Sequence, residues 1–382
     1  MQQSKLVIFS LWLSRIIFGI VFIFSGFVKA IDPLGSVYKF QDYFLAFDVS
    51  WMFPLALPLA ILLSGLEFLI GVTILLGLKM RFSAWGALIF MVIFTPLTLY
   101  IAIYNPVSDC GCFGDALIIT NWSTFYKNII LLAASVLIFI YRKHFRPLWS
   151  EKMDSYLTLF VAVFIILVSV YCLRNLPVID FRPWKTGNNI NELIVPEPEI
   201  ADTYLIYRNK ETGETREYPA NDYPWDDPEW LANWEFIDQK RVVTQEFREA
   251  PISNFSIQDE YGDDYTESYI TNPDYQFLVI AYDLNRTRQS AFEQKINEFA
   301  AQAEQDAVSL IVLTGSSFTN IDLFRHEVQA AYPFYQSDEI ALKTIIRSNP
   351  GLVLIKDGIV VAKWHYRNIP SYTRVQEKYM DY

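Results

Sequence analysis

Two cysteines with one glycine between them stand in SDCGCFGDA, Ser108 to Ala116, and the chain of 382 residues holds only one other, Cys172. Three chemistries suit such a pair: metal ligation, a permanent clip, or a dithiol that exchanges with a disulfide. Zinc needs four Cys or His ligands at characteristic spacings. The only histidines, His144, His326 and His365, form no such set with these thiols. Clip and exchange both remain open. Consecutive Cα atoms lie about 3.8 Å apart, so a bent i, i+2 pair reaches the roughly 4.4–6.8 Å that a disulfide spans. Gly111 permits the bend by accepting φ > 0. A ring this small is strained, and strain makes a disulfide easier to pass on.

Which chemistry is open depends on the compartment, and that depends on the surrounding elements. Mean hydropathy is +0.20, high for a wholly soluble chain. Residues 1–173 hold 11 Lys and Arg against 8 Asp and Glu, whereas residues 174–382 hold 20 against 34, giving the net −11 of the whole. Five apolar runs lie in the first part, Leu6–Ile31, Pro54–Leu78, Phe82–Tyr104, Ser123–Tyr141 and Tyr156–Cys172. Crossing a bilayer takes roughly 20 residues of helix. The first run is too long for the apolar core of a signal peptide and lacks a clean small-residue cleavage site, so it reads as an uncleaved span. The last is short, which predicts a tilted helix.

If the spans alternate, Lys5, Lys79, Arg81, Arg142, Lys143, Arg146 and Lys152 share one side, which the positive-inside rule makes cytoplasmic. The opposite loops carry Asp32, Asp42, Asp48, Asp109 and Asp115 against Lys29, Lys39 and Lys127. The expectation is an inner (cytoplasmic) membrane protein with its N-terminus in the cytoplasm and its acidic C-terminal part periplasmic. Cys110, Cys112 and Cys172 then face an oxidising compartment.

Two charges lie within the spans and need partners. Arg15 is 14 residues before Lys29, and Glu67 is 13 after Pro54. At about 1.5 Å per residue both sit roughly 20 Å below the same surface, so an intramembrane ion pair between them is expected. Its role is open between a proton- or quinone-linked site and a structural pair that fixes the bundle.

The stretch SRIIFGIVFIFSGFVKAIDP, Ser14 to Pro33, with Arg15, Gly19, Ser25, Gly26, Lys29 and Asp32, resembles the opening of the DoxX family of small four-helix membrane proteins. Glu67 and Gly71 in SGLEFLIGVTILLG fit the same pattern. CGCFGD resembles the related MauE family, whose members are implicated in forming disulfides in a secreted partner. That family is similar in architecture to quinone-linked vitamin K epoxide reductase. The resemblance covers roughly residues 6–141. It implies that Cys110 and Cys112 match the family's thiol pair, and it suggests a membrane quinone as cofactor.

Beyond the fifth span, the Pro- and acid-rich segment from Leu176 reads as a linker, with Phe181, Pro183 and Trp184 as juxtamembrane or interfacial side chains. TYLIYRNKETGETREYPAN reads as a β-hairpin about Glu211–Glu214, and WEFIDQKRVVTQEF as a further strand. From about residue 250 the pattern is strand, helix, strand, helix, strand, strand, helix, with Asp357-Gly358 as a hairpin turn. This resembles the thioredoxin-like fold, with Ser348-Asn349-Pro350 where that family has its cis-proline. The departure is YDLNRTRQ, Tyr282 to Gln289, which has no cysteine where redox members carry Cys-x-x-Cys. Thiol chemistry is excluded there. Recognition of an extended chain beside Asn349 and Pro350 is not, because main-chain pairing needs no sulfur. Its guest could be a client, a partner subunit or the membrane half itself.

The expected architecture is an all-α membrane bundle over residues 1–152 and a fifth transmembrane helix over 153–175. A linker and small β-rich insert follow over 176–250, then an extracytoplasmic α/β thioredoxin-like domain over 251–382. The acidic balance of the second part argues against nucleic acid. Partners are the lipid bilayer and either an extracytoplasmic client or other subunits of a membrane complex. One expected function is thiol-disulfide exchange by Cys110 and Cys112, with Cys172 as a candidate resolving thiol. The competing one is a non-enzymatic subunit that recruits partners for secretion, folding or envelope assembly.

Overall fold

The structure, a computed structural model, describes residues 5–145 and 149–380. Arg146, counted above among the basic loop residues, lies outside them. Among the described residues, apolar sequence produces five helices long enough to cross a bilayer, and the chain is a membrane protein. In chain order the helices of this half are α1 (Lys5–Ile31), α2 (Pro33–Ala46), α3 (Ala56–Leu76), α4 (Met80–Tyr104), α5 (Asn121–Ile140) and α6 (Glu151–Arg174). Only α2 is too short to be a span. Large apolar side chains such as Phe9, Trp12, Ile89, Ile130 and Phe160 are exposed, as suits contact with lipid.

Capping chemistry sets several helix starts. The Asp32 carboxylate accepts from Gly35 N at the head of α2, Thr120 from Ser123 N before α5, and Ser150 from Met153 N before α6. Two sequence expectations change here. The second span, Ser50–Leu76, includes Pro54 in an opening 3-10 turn, Ser50–Leu55, and becomes α-helical at Ala56. The last has 24 residues rather than the short apolar run, since its polar first turn continues the helix and Lys79 N donates to Asp154 at 3.1 and 3.2 Å. Helix α2, unanticipated, packs Val37 and Phe44 against Ala56 and Ala60.

Close approach of α1 and α3 depends on glycine. A Cβ on Gly26 would stand 2.4 Å from Phe68 N, and one on Gly71 2.6 Å from Ile23 N. Such small-residue contacts let two backbones meet where no hydrophobic drive exists between helices in lipid.

The C-terminal α/β region holds a five-stranded sheet built from β4 to β8, preceded by a separate small sheet of β1 (Ile200–Asn209), β2 (Thr215–Pro219) and β3 (Trp234–Gln245) in the order β2-β1-β3. The larger sheet comprises β4 (Tyr275–Ile280), β5 (Ser309–Thr314), β6 (Phe334–Gln336), β7 (Gly351–Lys356) and β8 (Ile359–His365), in the order β6-β5-β4-β7-β8. Strands β4, β5 and β6 run parallel, while β7 and β8 are antiparallel. Side chains alternating along β4 feed two cores, Phe277 and Val279 one side, Leu278 and Ile280 the other. Strand β6, three residues long, is too short to show periodicity and was not anticipated.

Trp184 is fully buried in the second core and packs edge-on to Phe255, with ring centroids 5.0 Å apart. It is therefore neither interfacial nor part of a linker. Its segment is tied to the sheet by Gly187 N to Val360 O and Ile190 N to Gly358 O, each 2.8 Å. The small sheet is different, since no residue from Asn191 to Ala250 is buried.

Candidate functional site

Cys110 and Cys112 lie in the connection between α4 and α5, whose ends are closed by Asn121. Its amide donates to Asn105 Oδ1 at 2.7 Å and to Val107 O at 3.0 Å. Inside the loop, Asp109 accepts from Gly111 N at 2.8 Å and pairs with Lys39 of α2 at 2.7 Å. Gly111 takes φ +66°, and any side chain there would run into Lys39. With this turn the two sulfurs stand 2.9 Å apart, both cysteines unbonded and half-buried. A disulfide needs about 2.05 Å, so little movement separates the two states.

Backbone bonds fix the loop against two helices. Tyr43 of α2 donates its hydroxyl to Cys110 O at 2.9 Å, and Ser25 of α1 lies 2.7 Å from Cys112 O. The two thiols are electrostatically unequal. Cys112 is lowered to about 6, first by the hydrogen bond from Cys110 and then, against burial, by the charges of Lys127 and Lys29. Cys110 is raised well above the usual thiol range by that same bond, by burial and by the negative charge of Cys112. The pair therefore favours a single negative charge, drawn toward Cys112 by Lys127 and Lys29, the form a thiol needs to act as a nucleophile.

Beneath the thiols is a cavity of about 420 Å³. Both cysteines line it together with Phe90, Phe94, Lys29 and Glu67. Glu67 and Lys29 form a buried ion pair at 2.7 Å, and Lys29 also donates to Ser25 Oγ at 2.9 Å. The expected Arg15–Glu67 pair is thus corrected. Arg15 donates instead to Ile74 O and Leu75 O, each at 3.1 Å, and caps the end of α3. The reason is register: α1 and α3 run antiparallel in contact at Gly26 and Gly71, which brings Glu67 to the level of Ser25 and leaves Arg15 near Gly77.

A second cleft, also about 420 Å³, lies on the other side of Gly111, between the helical half and the α/β region. Asp109, Lys39, Asp180 and Lys343 line it. Arg347 closes this boundary. Its guanidinium meets Asp32 at 2.9 Å and Asp115 at 3.0 Å, and Tyr38 meets Tyr282 across the same boundary at 3.3 Å.

The remaining expected residues lie elsewhere. Cys172 is buried near the end of α6 and does not line the thiol cavity. Pro350 is buried behind a cis bond, and Asn349 is engaged internally. Its carbonyl accepts from Arg288 N at 3.2 Å and its side chain joins Asp283 O and Thr287 at 2.9 and 2.8 Å. Sequence reasoning missed Lys39, Tyr43, Lys127 and Arg347 as parts of the site. The i, i+4 spacing of Ser25 and Lys29 places both on one helix face and could have indicated Glu67's partner.

No curated protein and no solved structure matches the chain. A family model does match, over residues 8–141, and is described as methylamine utilisation protein MauE. Over α1 to α5 and the Cys110–Cys112 loop, the chain is therefore similar to the MauE family, a likeness that stops before α6 and the α/β region.

Proposed function

We propose that this protein is a membrane thiol-disulfide oxidoreductase in which Cys110 and Cys112 pass electrons from an extracytoplasmic protein client to a membrane quinone. One observation carries the reading: the dithiol loop forms a shared wall between an apolar cavity in the bundle and a polar cleft under the α/β region. In the first half-reaction a client dithiol is oxidised as the Cys110–Cys112 bond is reduced. In the second, the two thiols close again and the quinone leaves as quinol. Cys112, held as thiolate beside Cys110, supports exchange at neutral pH. The cavity's aromatic lining suits a flat lipophilic ring.

The topology in this proposal has the N-terminus in the cytoplasm and the α/β region outside. The bias of Lys79, Arg81, Arg142 and Lys143 toward one end supports it. The α/β region is read as thioredoxin-like, on the support of its strand order and of β4 running parallel to β5 but antiparallel to β7. Lacking thiols after β4, it serves as a resident cover for the membrane dithiol.

The test is to trap cellular thiols with a mass-tagging alkylator, in wild type and in C110A, C112A and the double variant. Cycling of the pair between tagged and untagged forms, lost in each variant together with client oxidation, is expected. A constant redox state with full client oxidation in the double variant would sink the proposal.

A second reading, a non-catalytic subunit that recruits partners, is favoured by the small sheet of β1–β3. From Val195 to Ala250 it carries 14 acidic against 6 basic side chains and buries none of its own residues. Purification in mild detergent distinguishes this reading, which requires a stoichiometric companion that is lost when residues 195–249 are replaced by a short linker.

A further inference from the structure

Closing two thiols with a quinone moves two protons as well as two electrons. The S–S bond forms and, with Cys112 as thiolate, the one S–H bond of Cys110 breaks; both electrons go to the quinone, whose oxygens take that proton and a second one from water, matching the proton Cys112 had already released. In an apolar cavity water is a poor carrier for the thiol proton, so a positioned base is needed. Among the described residues, Glu67 is the one carboxylate that lines the thiol cavity. We propose that Glu67 is the proton carrier of this step, taking a thiol proton and handing it to the quinone oxygen, so that it ends ionised as it began. This assignment rests on the quinone reading above and names the group that serves it.

The surrounding bonds support the role. Lys29 donates to both carboxylate oxygens, at 2.8 and 2.7 Å, so the buried carboxyl has a cation beside it. Ser25 Oγ lies 2.7 Å from Glu67 Oε2 and 2.7 Å from Cys112 O. Lys29 already donates to that oxygen, so a single hydroxyl proton serves two acceptors. While Glu67 is ionised it is the stronger acceptor. Once Glu67 takes a proton, the Ser25 hydroxyl is free to turn to Cys112 O and pin the loop. Protonation of the carboxyl is thereby felt at the backbone of the reacting cysteine. A pair that served only to hold α1 to α3 would need neither the shared serine nor a place on the cavity wall.

The experiment uses the full chain, pre-reduced in nanodiscs, with a short-chain benzoquinone as the probe, and follows quinol formation by ultraviolet absorbance from pH 5 to 9. Glu67→Gln is expected to slow quinol formation at pH 7 by about 10²-fold or more. Both thiols remain open to alkylation, Cys112 the more readily because the Glu67 charge that raises it is gone, which shows that the loop still folds. Because Glu67→Gln strands a buried ammonium, the double variant Lys29→Gln/Glu67→Gln, which buries no unpaired charge, is measured beside it. A wild-type rate and pH profile in the folded variants overturns the assignment of Glu67 alone. A wild-type protein that forms no quinol overturns the quinone reading, and the assignment with it.

Discussion

Arg347 of the α/β region reaches Asp115 at 3.0 Å, three residues after Cys112, and the same guanidinium holds Asp32 at the head of α2. The cysteine loop and the α/β region are thus joined by one buried side chain that is 315 positions from its other partner. Removing it should undock the two halves. Arg347→Met leaves two carboxylates facing an apolar group, and breaking a buried pair in this way costs about 3–5 kcal/mol. Limited proteolysis after α6 should accelerate, and Cys110 and Cys112 should alkylate faster. Unchanged cleavage and alkylation would show that the contact does not hold the domain.

The docking should also depend on pH. Burial alone would raise Asp32, but Arg347, then Arg182, and the Gly35 amide outweigh it and hold the carboxyl below the usual range. Asp115 is shifted the other way, raised by burial against the pull of Arg347. A depressed carboxyl contributes stability above its unfolded value and loses it as pH falls through the folded one. Asp115 therefore protonates first, and docking through Asp32 should persist at about pH 5 and fail only below the ordinary carboxylate value of about 3.9. Asp32→Asn should be equally protease-sensitive at both pH values. Wild-type opening already at mild acidity would contradict the assignment to Asp32.

Alkylation of the reduced pair should be unequal. Cys112 should react along a profile centred at about 6, and Cys110 only at much higher pH. In Cys112→Ala the bond that chiefly raises Cys110 is gone, so its profile should move down toward an ordinary thiol near 8.5. Mass spectrometry of the tagged peptide across pH 5 to 10 reads both, and equal profiles for the two thiols would refute the inequality.

Gly26 should tolerate no side chain. A Cβ there would lie 2.4 Å from Phe68 N, a backbone atom that cannot swing aside. Gly26→Ala should separate α1 from α3, costing about 1–3 kcal/mol, and loosen the Lys29–Glu67 pair. Thermal melting in detergent measures it. Gly65, whose added Cβ would meet only Ile165 at 3.9 Å, supplies the control, since Gly65→Ala should melt like wild type.

What the sequence by itself determined is local. Runs of apolar residues specify α1 and α3 to α6 because a span needs only length and hydropathy. Short continuous apolar runs along β4, β5 and β7 specify the α/β pattern, and the Cys-Gly-Cys turn is visible as three adjacent residues. Partner choice was not local. Whether Glu67 meets Arg15 or Lys29 turns on the register of two antiparallel helices, which close glycine contacts set and no count from the helix ends reveals. Trp184 read as interfacial because its neighbours are Pro-rich, yet the sheet that buries it is formed by strands more than 90 positions later. Nothing in the sequence marks Arg347, to which the fold brings Asp32 and Asp115. Only tertiary structure decides such contacts, because burying a charge is favourable solely where opposite charges from distant segments converge on it.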